Sequence, residues 1–160
     1  MDRTILAALV IACAVVLLGL MAWGWRRRKA RQSHIAAPAH VPAEIGDTVT
    51  FEGKYVATTL ADTPLERIAV HRLGFRGPVR ISIAAEGILV DLADTRFWIP
   101  RTDLRDVRRA TWTIDRVVER DGMTLVSWQL GDTRVDSYLR MDDVAAVDAA
   151  LAPLIERKPQ

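Results

Sequence analysis

Hydrophobic positions along the chain follow three different periods, and each predicts a different kind of element. From Ile5 to Trp25 there is no charged residue at all, and the polar content is Cys13 and two glycines. Twenty-one residues at the helical rise span about 31 Å, close to the roughly 30 Å of a bilayer core. From Thr48 onward the pattern changes to short alternating runs. "TVTFEGKYVATTL", "PVRISIA", "ILVDLA", "RFWIP", "RRATWTID", "MTLVSWQL" and "RVDSYLRM" each read as a strand. In the second, Val79, Ile81 and Ile83 share one face; in the third, Ile88, Val90 and Leu92 do. Glu86-Gly87 and Gly131-Asp132 suit tight turns between strands. A helical period closes the chain. Val144, Val147, Leu151, Leu154 and Ile155 fall on one face, Asp142 or Asp143 offers a cap, and Pro153 is expected to disturb the last turn. A second, short helix is predicted after Thr63, where Thr63-Pro64-Leu65-Glu66 matches a capping box, with Gly74 as its stop.

These elements divide the chain into an external N-terminus at 1–4, a transmembrane helix at 5–25, a basic flank and linker at 26–46 and one folded domain at 47–160. The linker is read from "QSHIAAPAHVPAEIG", where Pro38 and Pro42 favour extended backbone and no apolar period appears. A cleaved signal peptide would have a shorter apolar core with a small-residue cleavage site behind it. Here Arg26 follows directly. Val10-Ile11-Ala12-Cys13 loosely fits a lipobox, but the apolar run continues for twelve residues beyond Cys13.

Charge sets the expected topology. Arg26, Arg27, Arg28, Lys29 and Arg31 follow the apolar run, against Arg3 and the amino terminus before it. Basic residues beside a spanning helix stay on the cytoplasmic side. The domain is therefore expected in the cytoplasm, held at the inner (plasma) membrane by a single-pass anchor, with Trp23 and Trp25 at the headgroup level. The same cluster attracts anionic lipids. The whole chain carries +2, but six of its 22 basic residues and one of its 20 acidic ones lie in residues 1–31, so residues 32–160 carry −3. A mildly acidic domain argues against a nucleic-acid partner. Arg outnumbers Lys 19 to 3, a composition typical of GC-rich bacterial genomes. Cys13 is the sole cysteine, so no intrachain disulfide exists.

Seven antiparallel strands followed by an amphipathic C-terminal helix describe a PH-like architecture, a bent sheet or open barrel plugged by the helix. Three stretches carry a resemblance as well: "FEGKYVATTLADTPLERIAVHRLGFRG" (51–77), "FWIPRTDLRDVRRAT" (97–111) and "VSWQLGDTRVDSYLRM" (126–141). The chain resembles small single-pass membrane proteins of actinobacteria that carry a cytoplasmic bacterial PH-like domain and are often loosely labelled export or membrane proteins. The resemblance implies a fold and an anchor. It carries no established activity.

Little in the sequence points to catalysis. His34, His40 and His71 are the only histidines, and no Cys, His or carboxylate spacing suits a metal. Ser82, Ser127 and Ser137 lack a nucleophile elbow, and no glycine-rich phosphate loop is present. The expectation is a non-enzyme with no cofactor and no metal. Arg67, Arg72, Arg76 and Arg80 flank the connection between the first two strands. PH domains that bind phosphoinositides use basic residues here, so these four form a candidate anionic-headgroup site. A solvated basic face paired to local carboxylates is the simpler reading. Arg105, Arg108 and Arg109 form a second cluster with the same ambiguity. Trp98, Trp112 and Trp128 are expected in the core. The expected function is a membrane-anchored adaptor that binds a protein partner, with lipid sensing as the alternative and an accessory subunit of a transport system as a further one.

Overall fold

The computed structural model describes residues 3–110 and 122–155, which form two units, one up to His34 and one from Ile35. The first is a helix, α1 (Arg3–Arg31). None of its residues is buried, as expected for a surface that lipid would cover, and it is long and apolar enough to cross a membrane. Its last turn carries Arg28, Lys29 and Arg31, where positive charge complements the helix dipole. Beyond it, the Ser33 hydroxyl donates to the carbonyl of Ala30 at 2.8 Å, satisfying one of the orphan acceptors of the helix end.

The second unit is a seven-stranded antiparallel sheet closed by a helix. The strands are β1 (Val49–Leu60), β2 (Gly77–Ala84), β3 (Gly87–Leu92), β4 (Thr95–Pro100), β5 (Leu104–Ala110), β6 (Met123–Leu130) and β7 (Thr133–Met141). Their order is β4-β3-β2-β1-β7-β6-β5. Two hairpin meanders are thus joined side by side through β1. That strand is long because it serves both: Val49–Tyr55 pairs with β2, and Gly53–Leu60 pairs with β7. At Gly53 the two ladders overlap. A Cβ there would lie 2.5 Å from the carbonyl oxygen of Arg140, so only glycine lets β7 come this close. The register then shifts between Tyr55 and Ala57, a bulge that bends the strand.

The bend can be measured from the core. β4 and β6 stand five steps apart in the strand order, about 24 Å across a flat sheet. Yet the rings of Phe97 on β4 and Trp128 on β6 stack with centroids 6.1 Å apart. The sheet is folded over on itself. Val79, Ile81, Ile83, Ile88 and Val90 from one half meet Val126, Val135 and Leu139 from the other in a single apolar cluster. The alternation seen in the sequence assigns these faces correctly. Gly131 takes a left-handed backbone (φ 58°) at the β6–β7 turn, as the Gly-Asp pair predicts.

The closing helix is α2 (Val144–Ile155). Asp143 caps it, its carboxylate accepting from the Ala146 amide at 3.0 Å. Val147, Leu151 and Leu154 are buried in the main cluster. Pro153 does not end the helix, which runs on to Ile155. Trp112 and the end of the strand predicted at 108–115 lie outside the described residues.

Two expectations are overturned. No helix follows Thr63. Residues 61–76 instead fold back as turns over the end of β1: Leu60 N–H donates to Glu66 O (3.0 Å), Ile68 N–H to Thr58 O (2.9 Å) and Thr58 N–H to Leu73 O (2.8 Å). The Thr63 hydroxyl donates to the carbonyl of Leu60, and the Glu66 amide that a cap would bind donates instead to the Thr63 carbonyl at 2.9 Å. Ile68 and Leu73 are fully buried, and a spacing of five positions suits a tight turn rather than one helical stripe. Second, residues 35–45 are not a free linker. Ile35 is buried in the main core, and Ala39 bridges Trp98 on β4, with Trp98 N–H donating to Ala39 O at 3.1 Å. Val41 and Ile45 pack on Ala84, Leu89 and Trp98. Trp98 is buried as expected, but on the sheet face opposite the main core, under this strap.

Candidate binding site

The β1–β2 connection is held from inside. The Tyr55 hydroxyl bonds to the Thr58 hydroxyl and donates to the carbonyl of Leu73 at 3.2 Å. Thr58 meets Ser137 across the ladder (2.6 Å), and the Trp128 indole N–H donates to Ser137 at 2.9 Å. Burial raises the Tyr55 pKa well above the ordinary phenol, so the group stays protonated throughout the physiological range. This chain of hydroxyls is a buried, satisfied network. It fixes Leu73 and with it the loop.

On the outside of that loop sit three of the four arginines singled out in the sequence. Arg72 pairs with Asp94 in the β3–β4 turn at 2.5 Å and lies over the Phe75 ring, 5.0 Å from its centroid. Arg72, Phe75 and Arg76 border one small cavity of about 70 Å³ with Asp94. Arg67 is bridged to Thr59 on β1, farther back along the loop. Arg80 stands apart on the outer face of β2, where it pairs with Glu52 at 2.8 Å; that hydrogen bond and charge raise its pKa further. So the structure brings Arg72 and Arg76 together and separates Arg80 from them. Arg72 and Arg80 already hold carboxylates, Asp94 and Glu52. His71 and Arg72 adopt consecutive left-handed conformations (φ 53° and 59°), and the His71 ring lies 2.8 Å from the carbonyl of Ile35. Phe75 and Leu65 remain exposed on this loop, at 59% and 75%.

In α1, the aromatic and basic residues pair one turn apart: Arg27 lies 5.3 Å from the Trp23 ring and Lys29 3.9 Å from the Trp25 ring.

The second arginine cluster also borders a groove. β5 is the outer strand of the sheet, and α2 packs beside it. Between them runs an open groove of about 390 Å³ lined by Val107, Arg108, Arg109, Asp148, Ala152 and Ile155. Arg109 donates to Asp148 at 2.9 Å and so ties strand to helix. On the other face, Arg108 approaches Asp136 at 3.9 Å; that carboxylate is buried and accepts from Ser127 at 2.5 Å. Arg105 donates to the carbonyls of Thr102 and Leu104. The sequence marked the arginines but not the groove, because Asp148 and Ala152 come from a helix whose polar side carries no motif. No group of three or more His, Cys, Asp or Glu suited to a metal occurs among the described residues.

The model of a family described as bacterial PH domain-like matches residues 35–154. The chain belongs to the bacterial PH domain-like family. The matched span begins at Ile35, the residue where the strap enters the core of the PH-like domain. No curated protein matches the chain. Among solved structures it is similar to the solution structure of the C-terminal phosphotyrosine interaction domain of APBB2 from mouse, at 12% identity over 74% of this chain and 94% of that one, with a TM-score of 0.47.

Proposed function

We propose that this protein is a membrane-anchored, non-catalytic adaptor whose PH-like domain holds a protein partner at the cytoplasmic face of the inner membrane. One observation carries the reading: an apolar helix with no buried residue is followed after His34 by a PH-like fold that begins at Ile35. PH-like membership points to a binding module, and the helix supplies a place for it to act. The test is site-directed photo-crosslinking in living cells, with the full chain labelled at exposed positions of the domain. A discrete protein adduct is expected. It should persist when α1 is exchanged for an unrelated single-pass helix and vanish when the domain is removed. No protein adduct from any labelled position would overturn the adaptor reading.

A second reading, contact with anionic lipid headgroups, is favoured by exposed Phe75 and Leu65 on the loop that carries Arg67, Arg72 and Arg76. The ion pairs of Arg72 and Arg80 weigh against it. A soluble fragment for vesicle binding must begin at Gln32, because Ile35 belongs to the core. Salt-sensitive binding to anionic vesicles, lost when Arg67, Arg72 and Arg76 become Glu, would make lipid sensing the leading reading.

A further inference from the structure

The outer face of the sheet carries charge in a fixed order. Glu52, Arg80, Asp91 and Arg96 are register partners from strand to strand, so they form one row across β1, β2, β3 and β4. Neighbouring strands lie about 4.8 Å apart, which makes the row about 14 Å long. Its signs alternate, beginning with the acid on β1. Within the chain the four make two ion pairs, Arg80 with Glu52 at 2.8 Å and Arg96 with Asp91 at 2.9 Å. Glu52, Arg80 and Arg96 nevertheless stay mostly exposed. Both bonds from Arg80 go to one oxygen of Glu52, at 2.8 and 3.3 Å, so the second oxygen takes neither. Glu52, Arg80 and Asp91 border an open depression of about 440 Å³, whose other charged residues, Lys54 and Asp142, cancel each other. A neutral row selects no ligand by net sign. What it matches is a row with the signs in reverse order.

We infer that this row is a contact between two copies of the chain, packed face to face about a two-fold axis that runs parallel to the strands between β2 and β3. That axis turns the row end for end. Glu52 then faces Arg96 of the second copy and Arg80 faces its Asp91, each twice, so all four contacts join opposite signs. A two-fold axis along the row would instead set every charge against itself. The strap adds shape to the same arrangement. Thr50, Ser82, Leu89 and Trp98 form the adjacent row across the four strands. The strap covers the half on β3 and β4, where Val41 and Ile45 pack on Leu89 and Trp98. The half on β1 and β2 keeps Thr50 and Ser82 at the surface, hydrogen-bonded to each other at 3.0 Å. Turned end for end, the raised half of one copy meets the low half of the other. The axis also keeps Ile35 of both copies at one height along it, so two anchored chains can form the pair within one membrane. Confinement to a membrane plane raises the effective concentration of a second copy, which a small polar contact needs. This inference goes beyond the adaptor reading, and neither depends on the other.

The test uses the full chain, carrying a donor or an acceptor dye after Gln160, at high dilution in phosphatidylcholine vesicles. Energy transfer above the level of random proximity is expected, and it should fall as ionic strength rises. Arg80→Glu in both copies sets acid against acid at the two central contacts, and Asp91→Arg sets base against base. Each variant alone should lower the paired fraction by about tenfold, as like charges across a contact do. Donor-labelled Arg80→Glu mixed with acceptor-labelled Asp91→Arg should recover the transfer, because both central contacts then join opposite signs. The chain carrying both substitutions should pair with itself and not with the parent. Either recovery shows that the substituted domains are folded. Transfer at the random level in the parent would overturn the inference, as would failure of both recoveries. So would transfer that no substitution changes, which is the result that pairing through α1 alone would give.

Discussion

At the scale of single residues, the domain commits buried polar groups to shape rather than chemistry. Tyr55 is the clearest case. Its hydroxyl, with Thr58, Ser137 and the Trp128 indole, is enclosed and fully partnered. The consequence is a dependence on alkaline pH. Burial raises the folded-state pKa above the ordinary 10.0, so the unfolded chain loses this proton first as pH rises. Stability from Tyr55 is therefore complete below pH about 10 and declines above it. Tyr138 adds in the same direction, through burial and then the nearby Asp136 charge. Tyr55→Phe should cost about 1 kcal/mol at neutral pH, for the lost hydrogen bonds. It should also flatten the fall in melting temperature above pH 10 relative to the parent. An unchanged alkaline slope would show that Tyr55 is not the group responsible. Gly53 makes a separate demand. Gly53→Ala would press a methyl group against the Arg140 carbonyl and force β1 and β7 apart. A loss of about 1–3 kcal/mol is expected in denaturant unfolding.

Elements were legible where one period governed a whole segment. α1, the seven strands and α2 all follow from runs of apolar residues at spacing one, two or three to four. What escaped were segments whose structure depends on partners far away in sequence. Thr63-Pro64-Leu65-Glu66 satisfies every local rule for a helix start, yet burial of Ile68 and Leu73 over β1 wins. "IAAPAHVPAEI" reads as a linker because its prolines forbid a regular period, but Ile35, Val41 and Ile45 each find a site on the folded sheet. For the same reason the groove between β5 and α2 was invisible: Arg108 and Arg109 could be named from sequence, but Asp148 and Ala152 meet them only after α2 docks. Two substitutions separate these contributions. Leu151→Asp places a charge in the contact between α2 and the sheet and should cost roughly 3–5 kcal/mol. Ile35→Ala should cost about 2–4 kcal/mol if the strap is part of the fold, whereas a change within about 0.5 kcal/mol is what a true linker would give. Thermal unfolding of the fragment from Gln32 onward distinguishes the two outcomes.

For the whole molecule, the proposal that the PH-like domain works on the cytoplasmic side of a membrane rests on charge. The domain itself is mildly acidic, while the positive charge is gathered at the C-terminal end of α1, where Arg26, Arg27, Arg28, Lys29 and Arg31 lie within six residues. Moving such a cluster across the bilayer is strongly disfavoured, whereas the short N-terminal flank offers only Arg3 and the amino terminus against it. A reporter that is active only in the cytoplasm, fused after Gln160, should therefore work, and one that is active only outside the membrane should not. Replacing the five basic residues by Gln and adding Lys residues before Ile5 should shift the balance toward the opposite reporter, because the asymmetry of flanking Lys and Arg sets orientation. Both changes leave β1 to β7 and α2 untouched, so the folded domain acts as its own control. Activity of the external reporter on the unaltered chain would overturn the cytoplasmic assignment. The adaptor would then have to find its partner outside the cell membrane.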